Sequence, residues 1–580
     1  MLKQLAGCVR EYKRPTILTL IFIVGEAVIE TIIPFITANL VNRIKAGASI
    51  ESVMEVGLLL IIMAAISLVC GGLAGFTCAK ASTGFAKNLR SDLFHRIQTY
   101  SFENIDKFSS SSLVTRMTTD VTNVQMAFMM LIRIAIRSPL LLIFSTVMAF
   151  VMGGKLAFVF VVVIPILAFG LLAIGKKAMP AFRSVFKKYD RLNESIEENV
   201  RGMRVVKGFS REEYEKQKFN TAADNIRKDF TKAECIVALN TPLMNLCMYI
   251  NMVVVLLVGS KLAITSGGSA LDVGQISGML TYGMQILMSL MMLSMIYVMV
   301  TMSAESAKRI CEVLEEEPSL KEPENPVMEV KDGSIEFKNV NFKYSSKAKK
   351  YALSGIDLSI RSGMTVGIIG GTGSSKSSLV QLIPRLYDVT EGAVLVGGMD
   401  VRSYDIPALR SAVAMVLQKN VLFSGTIKDN LRWGNETATD EEIREACRLS
   451  QADEFIQTFP DKYDTYIEQG GSNVSGGQKQ RLCIARALLK KPKILILDDS
   501  TSAVDTKTDA LIRAGFKNYI PDTTKIIIAQ RIASVEDADL IIVMDNGSIS
   551  AAGTHEDLLQ SSDIYREVYE QQTKGGNENE

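Results

Sequence analysis

The 580-residue chain confines its long apolar stretches to its first half. Six nearly uncharged runs lie at about 16–40, 56–79, 134–154, 156–175, 236–260 and 273–304, and nothing comparable follows residue 305. Each reaches the roughly 20 residues that an α-helix needs to cross the hydrocarbon core of a bilayer. Six such runs exclude a soluble enzyme, and a mean hydropathy of +0.20 agrees. The first run is too long for a removable signal peptide, lacks a small-residue cleavage site, and precedes five more spans. An even number of spans puts both termini on one side. Lys3, Arg10, Lys13 and Arg14 precede the first span, and the loop between the third and fourth is very short. The positive-inside bias therefore predicts cytoplasmic termini.

Between spans, 80–133 and 176–234 are charged, helix-favouring and far longer than turns. They read as cytoplasmic extensions of the membrane helices, able to carry force. Residues 1–14 fit either an amphipathic surface helix or a disordered tail. Glu26 and Glu30 lie four residues apart in the first span, hence on one helix face. A carboxylate at that depth is costly, so the pair lines a substrate path, meets Arg133 or Arg137, or lies close to the membrane surface. The methionines of the last span, among them Met279, Met284, Met288, Met292 and Met295, suit either an adaptable binding wall or ordinary lipid and helix contacts. The net charge of +2 supplies no field for nucleic acid. Eight scattered cysteines show neither a disulfide frame nor zinc-ligand spacing.

After residue 305 a Pro- and Glu-rich linker leads into alternating β-branched and helical runs, the pattern of an α/β domain. In VGIIGGTGSSKSSLVQ a strand enters a small-residue loop and a helix leaves it. The loop, Gly370, Gly371, Thr372, Gly373, Ser374, Ser375, Lys376, Ser377 and Ser378, fits G-x-x-x-x-G-K-[ST] except that Ser375 replaces the second glycine. Small residues there let backbone N–H groups and a helix N-terminus face phosphate oxygens. Lys376 would reach the outer phosphates and Ser377 would hold Mg²⁺. Ser375, beside the helix start, reads as a tolerated change. About 120 residues on, ILILDDS ends a strand at Asp498, where a second Mg²⁺ oxygen is expected, followed by Asp499.

Taken with VSGGQKQRLCIARALL, these segments resemble ATP-binding cassette exporters over nearly the whole chain. The resemblance implies an all-α six-helix membrane domain with long cytoplasmic extensions (1–320), fused to a soluble α/β P-loop nucleotide-binding domain (321–580). It implies ATP and Mg²⁺ as cofactors. Tyr344 would stack on adenine, Gln418 would be the Q-loop residue at the Mg²⁺ and the chemistry, and Asp505 would be the D-loop residue. Val474, Ser475, Gly476, Gly477 and Gln478 would be the signature that closes over a partner's ATP. FENIDKFSSSSLVTRMTTDVTNVQ and RGMRVVKGFSREEYE are similar to the family's two coupling segments. The framework also implies membrane lipid and a hydrophobic or amphipathic cargo as partners, and its compact design suggests a bacterial plasma membrane.

Two positions depart from the family pattern. Its active members carry glutamate after the Mg²⁺ aspartate; Asp499 is one methylene shorter, and a misplacement of roughly 1 Å can cost about a hundredfold in rate. Gln530 in KIIIAQR stands where a histidine is usual, and it can carry neither a proton nor a charge. The chain's two histidines, His95 and His555, fall elsewhere. The combination predicts a poor ATP site of its own and an intact signature serving a related half-transporter, that is, a heterodimer. A non-transporting ATP sensor and a slow homodimeric exporter are the competing expectations.

Overall fold

The computed structural model describes residues 2–266, 271–345, 348–499 and 506–576. Internal packing divides the chain into two units: 1–98 with 109–316, and 99–108 with 317–580. The short segment FENIDKF thus belongs with the nucleotide unit, although its chain neighbours on both sides belong with the membrane unit.

Six helices of the membrane unit carry its apolar runs, α1 (Lys13–Lys45), α2 (Ile50–Gln98), α3 (Val121–Gly153), α4 (Phe158–Arg201), α5 (Asn240–Thr265) and α6 (Val273–Glu315), and a charged helix, Glu212–Val237, precedes α5. Among the described residues, five continuous helical runs are long and apolar enough to cross a membrane, and one of them, 110–182, contains both α3 and the start of α4. Contacts with α6 show that the chain reverses inside that run. Met152 abuts Gly278 while Asn123 donates to Ser306 at 3.2 Å, so α3 is antiparallel to α6. Val163, Leu167 and Leu171 pack with Leu287 and Leu290, and Phe160 lies against Gly283, so α4 is parallel to α6. Gly154, at φ 50° and ψ −121°, supplies the break. Close approach elsewhere depends on small residues: a Cβ on Gly274 would strike the Ala38 carbonyl.

Several charged groups of this unit are paired across helices. Arg137 of α3 binds Glu30 with both carboxylate oxygens at 2.6 and 2.7 Å and reaches Glu26 at 3.4 Å. The pairing with Arg137 that the sequence allowed is therefore present. Near the end of α6, fully buried Asp120 accepts from Ser306 at 2.8 Å and from Arg309 at 2.6 Å, within a turn of π-helix, Arg116–Asp120. Residues Leu2–Gly7 are helical, and Asn88 and Asp92 of α2 hold the following turn through Cys8 and Arg10. The start of the chain is thus a packed helix and not a free tail. Met279 is buried, but Met284, Met288, Met292 and Met295 form an exposed stripe on one face of α6.

The nucleotide unit holds an antiparallel sheet, ordered Leu353–Ile360, Ile335–Phe342, Glu391–Val396, Met399–Asp400, beside a six-stranded one. The larger sheet is ordered Ser548–Gly553, Leu540–Asp545, Thr365–Gly370, Thr524–Ile528, Ile494–Asp498, Val413–Val416, and only its first strand is antiparallel. The continuous runs of Ile, Leu and Val in the central strands suit burial on both faces, as in parallel sheets. Ile528 lies level with Ile368 on one side and Asp498 on the other. Three loops therefore leave the carboxyl edge of adjacent strands side by side, where open α/β sheets bind ligands.

Candidate functional site

The first of those loops follows strand Thr365–Gly370. A Cβ on Gly370 would run into the Met544 carbonyl, so glycine is required there by close approach. Gly371, Thr372 and Gly373 are exposed, and a Cβ on either glycine would meet nothing within 4 Å, so the loop is open on its outer side. Ser374 is buried. Ser375 sits at φ 68° and ψ 26°, a left-handed conformation that costs a side-chain-bearing residue about 1–2 kcal/mol. Glycine is the unstrained choice at this position, and serine holds the turn at that cost. Ser378 is buried behind the loop.

Lys376 folds back over the loop, donating to the carbonyls of Gly370 and Gly371 at 2.8 and 2.9 Å. Burial holds its ammonium below the ordinary lysine value, against the attraction of Asp499 and Asp498. Ser377 donates to Asp498 at 2.9 Å. Burial pushes Asp498 above the usual carboxylate range; the Ser377 hydroxyl opposes this and the neighbouring Asp499 charge adds to it. A hydroxyl and a carboxylate in contact are hard oxygen donors suited to Mg²⁺, which takes few protein ligands and completes its shell with phosphate and water. No group of three or more His, Cys, Asp or Glu that could hold a metal occurs among the described residues, in keeping with so sparse a set.

Asp499, at φ 47°, turns out of the strand's end and is 9% exposed. Its Oδ2 accepts from Gln530 Nε2 at 2.7 Å and from Gln418 Nε2 at 3.3 Å. The two positions that depart from the family pattern are thus in direct contact with each other. Tyr344, 42% exposed, stands edge-on to Phe342 and Tyr387, and its hydroxyl is 2.7 Å from that of Ser378. Tyr387 in turn donates to Asp106 at 2.8 Å, within the segment Thr99–Phe108.

The signature lies apart from this cluster in sequence and begins the helix Gly476–Leu489. Ser475 caps it: its Oγ accepts from the Gln478 amide at 3.3 Å, and the Gln478 side chain accepts from the Ser475 amide at 2.9 Å. Val474 is buried, while Ser475 and Gly476 are exposed. Asp505 lies outside the described residues. Glu26 and Glu30 belong to the membrane unit and its ion pair with Arg137. Sequence reasoning missed Gln572, which bonds to the main chain at Gln530 and Ile532 from about 40 residues away. No motif or spacing marks such a contact.

Comparison with known proteins agrees with this architecture. The model of the ABC transporter transmembrane region matches residues 16–290, and the ABC transporter model matches 353–502. YfiB, an ABC transporter ATP-binding protein of Bacillus subtilis (strain 168), is 36% identical over 96% of each chain. A second, from Mycobacterium tuberculosis (strain ATCC 25618 / H37Rv), is 35% identical over 96% of each. The structure of a bacterial Atm1-family ABC exporter with ATP bound superposes with a TM-score of 0.83 at 24% identity, covering 96% of this chain and 98% of that one, and shows a shared fold. With both family regions in order along one chain and relatives aligned almost end to end, the chain belongs to the ABC transporter family: it is a half-transporter, a multi-pass membrane protein whose ATP hydrolysis is coupled to transport.

Proposed function

We propose that this chain is the slow-site half of a heterodimeric exporter of hydrophobic or amphipathic compounds, in a bacterial plasma membrane with both termini in the cytoplasm. The observation that carries this reading is the Asp499–Gln530 contact at 2.7 Å. One Asp499 oxygen already receives two amide donors, and its short side chain offers little reach beyond them. Gln530 has no proton to exchange and no charge to stabilise a developing phosphoryl anion.

In this reading ATP docks on the loop Gly370–Ser378. Tyr344 would leave Ser378 to stack on adenine, Lys376 would exchange the loop carbonyls for the outer phosphates, and Ser377, Asp498 and Gln418 would hold Mg²⁺. When bound, Mg²⁺ neutralises phosphate charge and polarises the scissile bond. Binding draws two nucleotide domains together and favours one membrane state over the other, which needs only a difference in affinity between states and not rapid hydrolysis here. The capped signature Val474–Gln478 would close over the partner's ATP, where a glutamate and a histidine do the faster chemistry.

The test is steady-state ATP hydrolysis by this chain alone in lipid, beside Asp499→Glu with Gln530→His. A near-inactive native chain, revived at least about tenfold by the double change, is expected. Brisk turnover by the native chain alone would overturn the reading.

A further inference from the structure

The loop that carries Gln530 is bonded to a helix about 40 residues further along the chain. The carbonyl of Gln530 accepts from Gln572 Nε2 at 2.8 Å, and the amide of Ile532 donates to Gln572 Oε1 at 2.9 Å. One carboxamide thereby spans both sides of Arg531, giving each of its polar ends to the backbone of the loop after strand Thr524–Ile528. Gln572 lies on the helix Asp563–Gly576, whose base is firmly seated. Tyr565 is fully buried with its hydroxyl 2.7 Å from His555 Nδ1, and Arg566 donates to the carbonyls of Leu559 and Gln560 at 2.8 and 3.0 Å. Seven residues separate Tyr565 from Gln572, two turns along one helix face. The face that anchors the helix is therefore the face that presents the carboxamide. Gln572 is itself exposed, so its two bonds are not a by-product of core packing.

We propose that Gln572 is a positioning residue for ATP hydrolysis: it clamps the main chain around Arg531 and so aims the Gln530 side chain at Asp499. The proposal rests on the reading of Asp499 and Gln530 as the pair that sets the rate. It adds that the terminal helix controls their geometry from outside the pocket. A rigid loop is what lets a side chain hold a reacting group to within a fraction of an ångström.

Two measurements on the full chain in lipid nanodiscs test this. The first is hydrogen–deuterium exchange of peptides covering 530–535, in the native chain, Gln572→Ala and Gln572→Glu. Loss of one bond should speed exchange at the Ile532 amide about five- to tenfold in the alanine variant. The glutamate variant keeps an acceptor for that amide and should stay protected. Unchanged protection in Gln572→Ala would overturn the proposal, as would an equal loss throughout strands Ile494–Asp498 and Thr524–Ile528, which would make the helix a general stabiliser.

The second is ATP hydrolysis in the Asp499→Glu, Gln530→His chain with and without Gln572→Ala. The added change should lower kcat at least about tenfold while the KM for ATP stays within about twofold. Faster exchange with an unaltered kcat would make the clamp merely structural and refute its role in hydrolysis. Should the double variant fail to gain activity over the native chain, the slow-site reading falls. The exchange experiment then still decides whether Gln572 holds the loop.

Discussion

Asp498→Asn should make the nucleotide unit more stable while depriving it of nucleotide. The native carboxylate is 4% exposed, with Ser377 as its hydrogen-bond donor and a second carboxylate next to it in the chain. Burial raises its pKa above the ordinary 3.8, the Ser377 hydroxyl pulls it down, and Asp499 pushes it up again. The sign follows. A carboxyl whose folded pKa is raised contributes stability that is complete below the unfolded value and is lost as pH rises through the folded one. At neutral pH the fold therefore buries a charge at a net cost. Asparagine has the same size and a carbonyl that can still accept from Ser377. Relieving one such functional group contributes about 1 kcal/mol, a rise of about 2–4 °C for a unit of this size. Trp433 is the only tryptophan, stacked on Phe423 at 4.2 Å in the nucleotide unit, so its fluorescence follows the unfolding of that unit alone. Without nucleotide at neutral pH the variant should melt higher, and the difference should vanish as pH approaches 3.8. With Mg-ATP at a hundredfold excess over Kd the native chain should gain about 2.7 kcal/mol and the variant far less. A variant that melts lower than native at neutral pH, in the absence of nucleotide, would refute the reasoning.

Lys376→Ala should weaken ATP binding in this subunit, yet leave turnover at the partner's site in the assembled pair; loss of nucleotide at both sites would contradict the division of labour. Ser475→Ala removes a helix cap worth about 1 kcal/mol and should depress hydrolysis by the pair, so an unchanged rate would count against the signature role. Arg137→Ala leaves Glu26 and Glu30 without their shared cation in a membrane helix, at a cost of about 3 kcal/mol; thermal unfolding in detergent should show the loss, and adding Glu26→Gln with Glu30→Gln should restore it. Tyr387→Phe keeps the ring beside Tyr344 but loses the 2.8 Å bond to Asp106, and cargo-stimulated hydrolysis should fall more than the basal rate.

Much of the molecule was legible in its sequence because the responsible physics is local. Hydrocarbon thickness sets a helix length that any window of residues either meets or does not. A phosphate loop needs its small residues, lysine and hydroxyl in one short run. The substitutions at Asp499 and Gln530 were visible because each sits at a fixed offset from such a run. Ser375 shows the limit of that reading: its residue type was plain, but its left-handed backbone, and hence the strain of a serine there, is a property of the folded turn. Glu26 and Glu30 show another. Their common helix face followed from spacing, but their meeting with Arg137, 107 residues from Glu30, depended on which helix packs beside α1. The contact of Gln530 with Asp499, the grouping of Thr99–Phe108 with the nucleotide unit and the clamp from Gln572 all join residues distant in the chain. Periodicity and motif spacing carry no information about such pairs, because the energy that selects them arises only when the strands and helices have already come together.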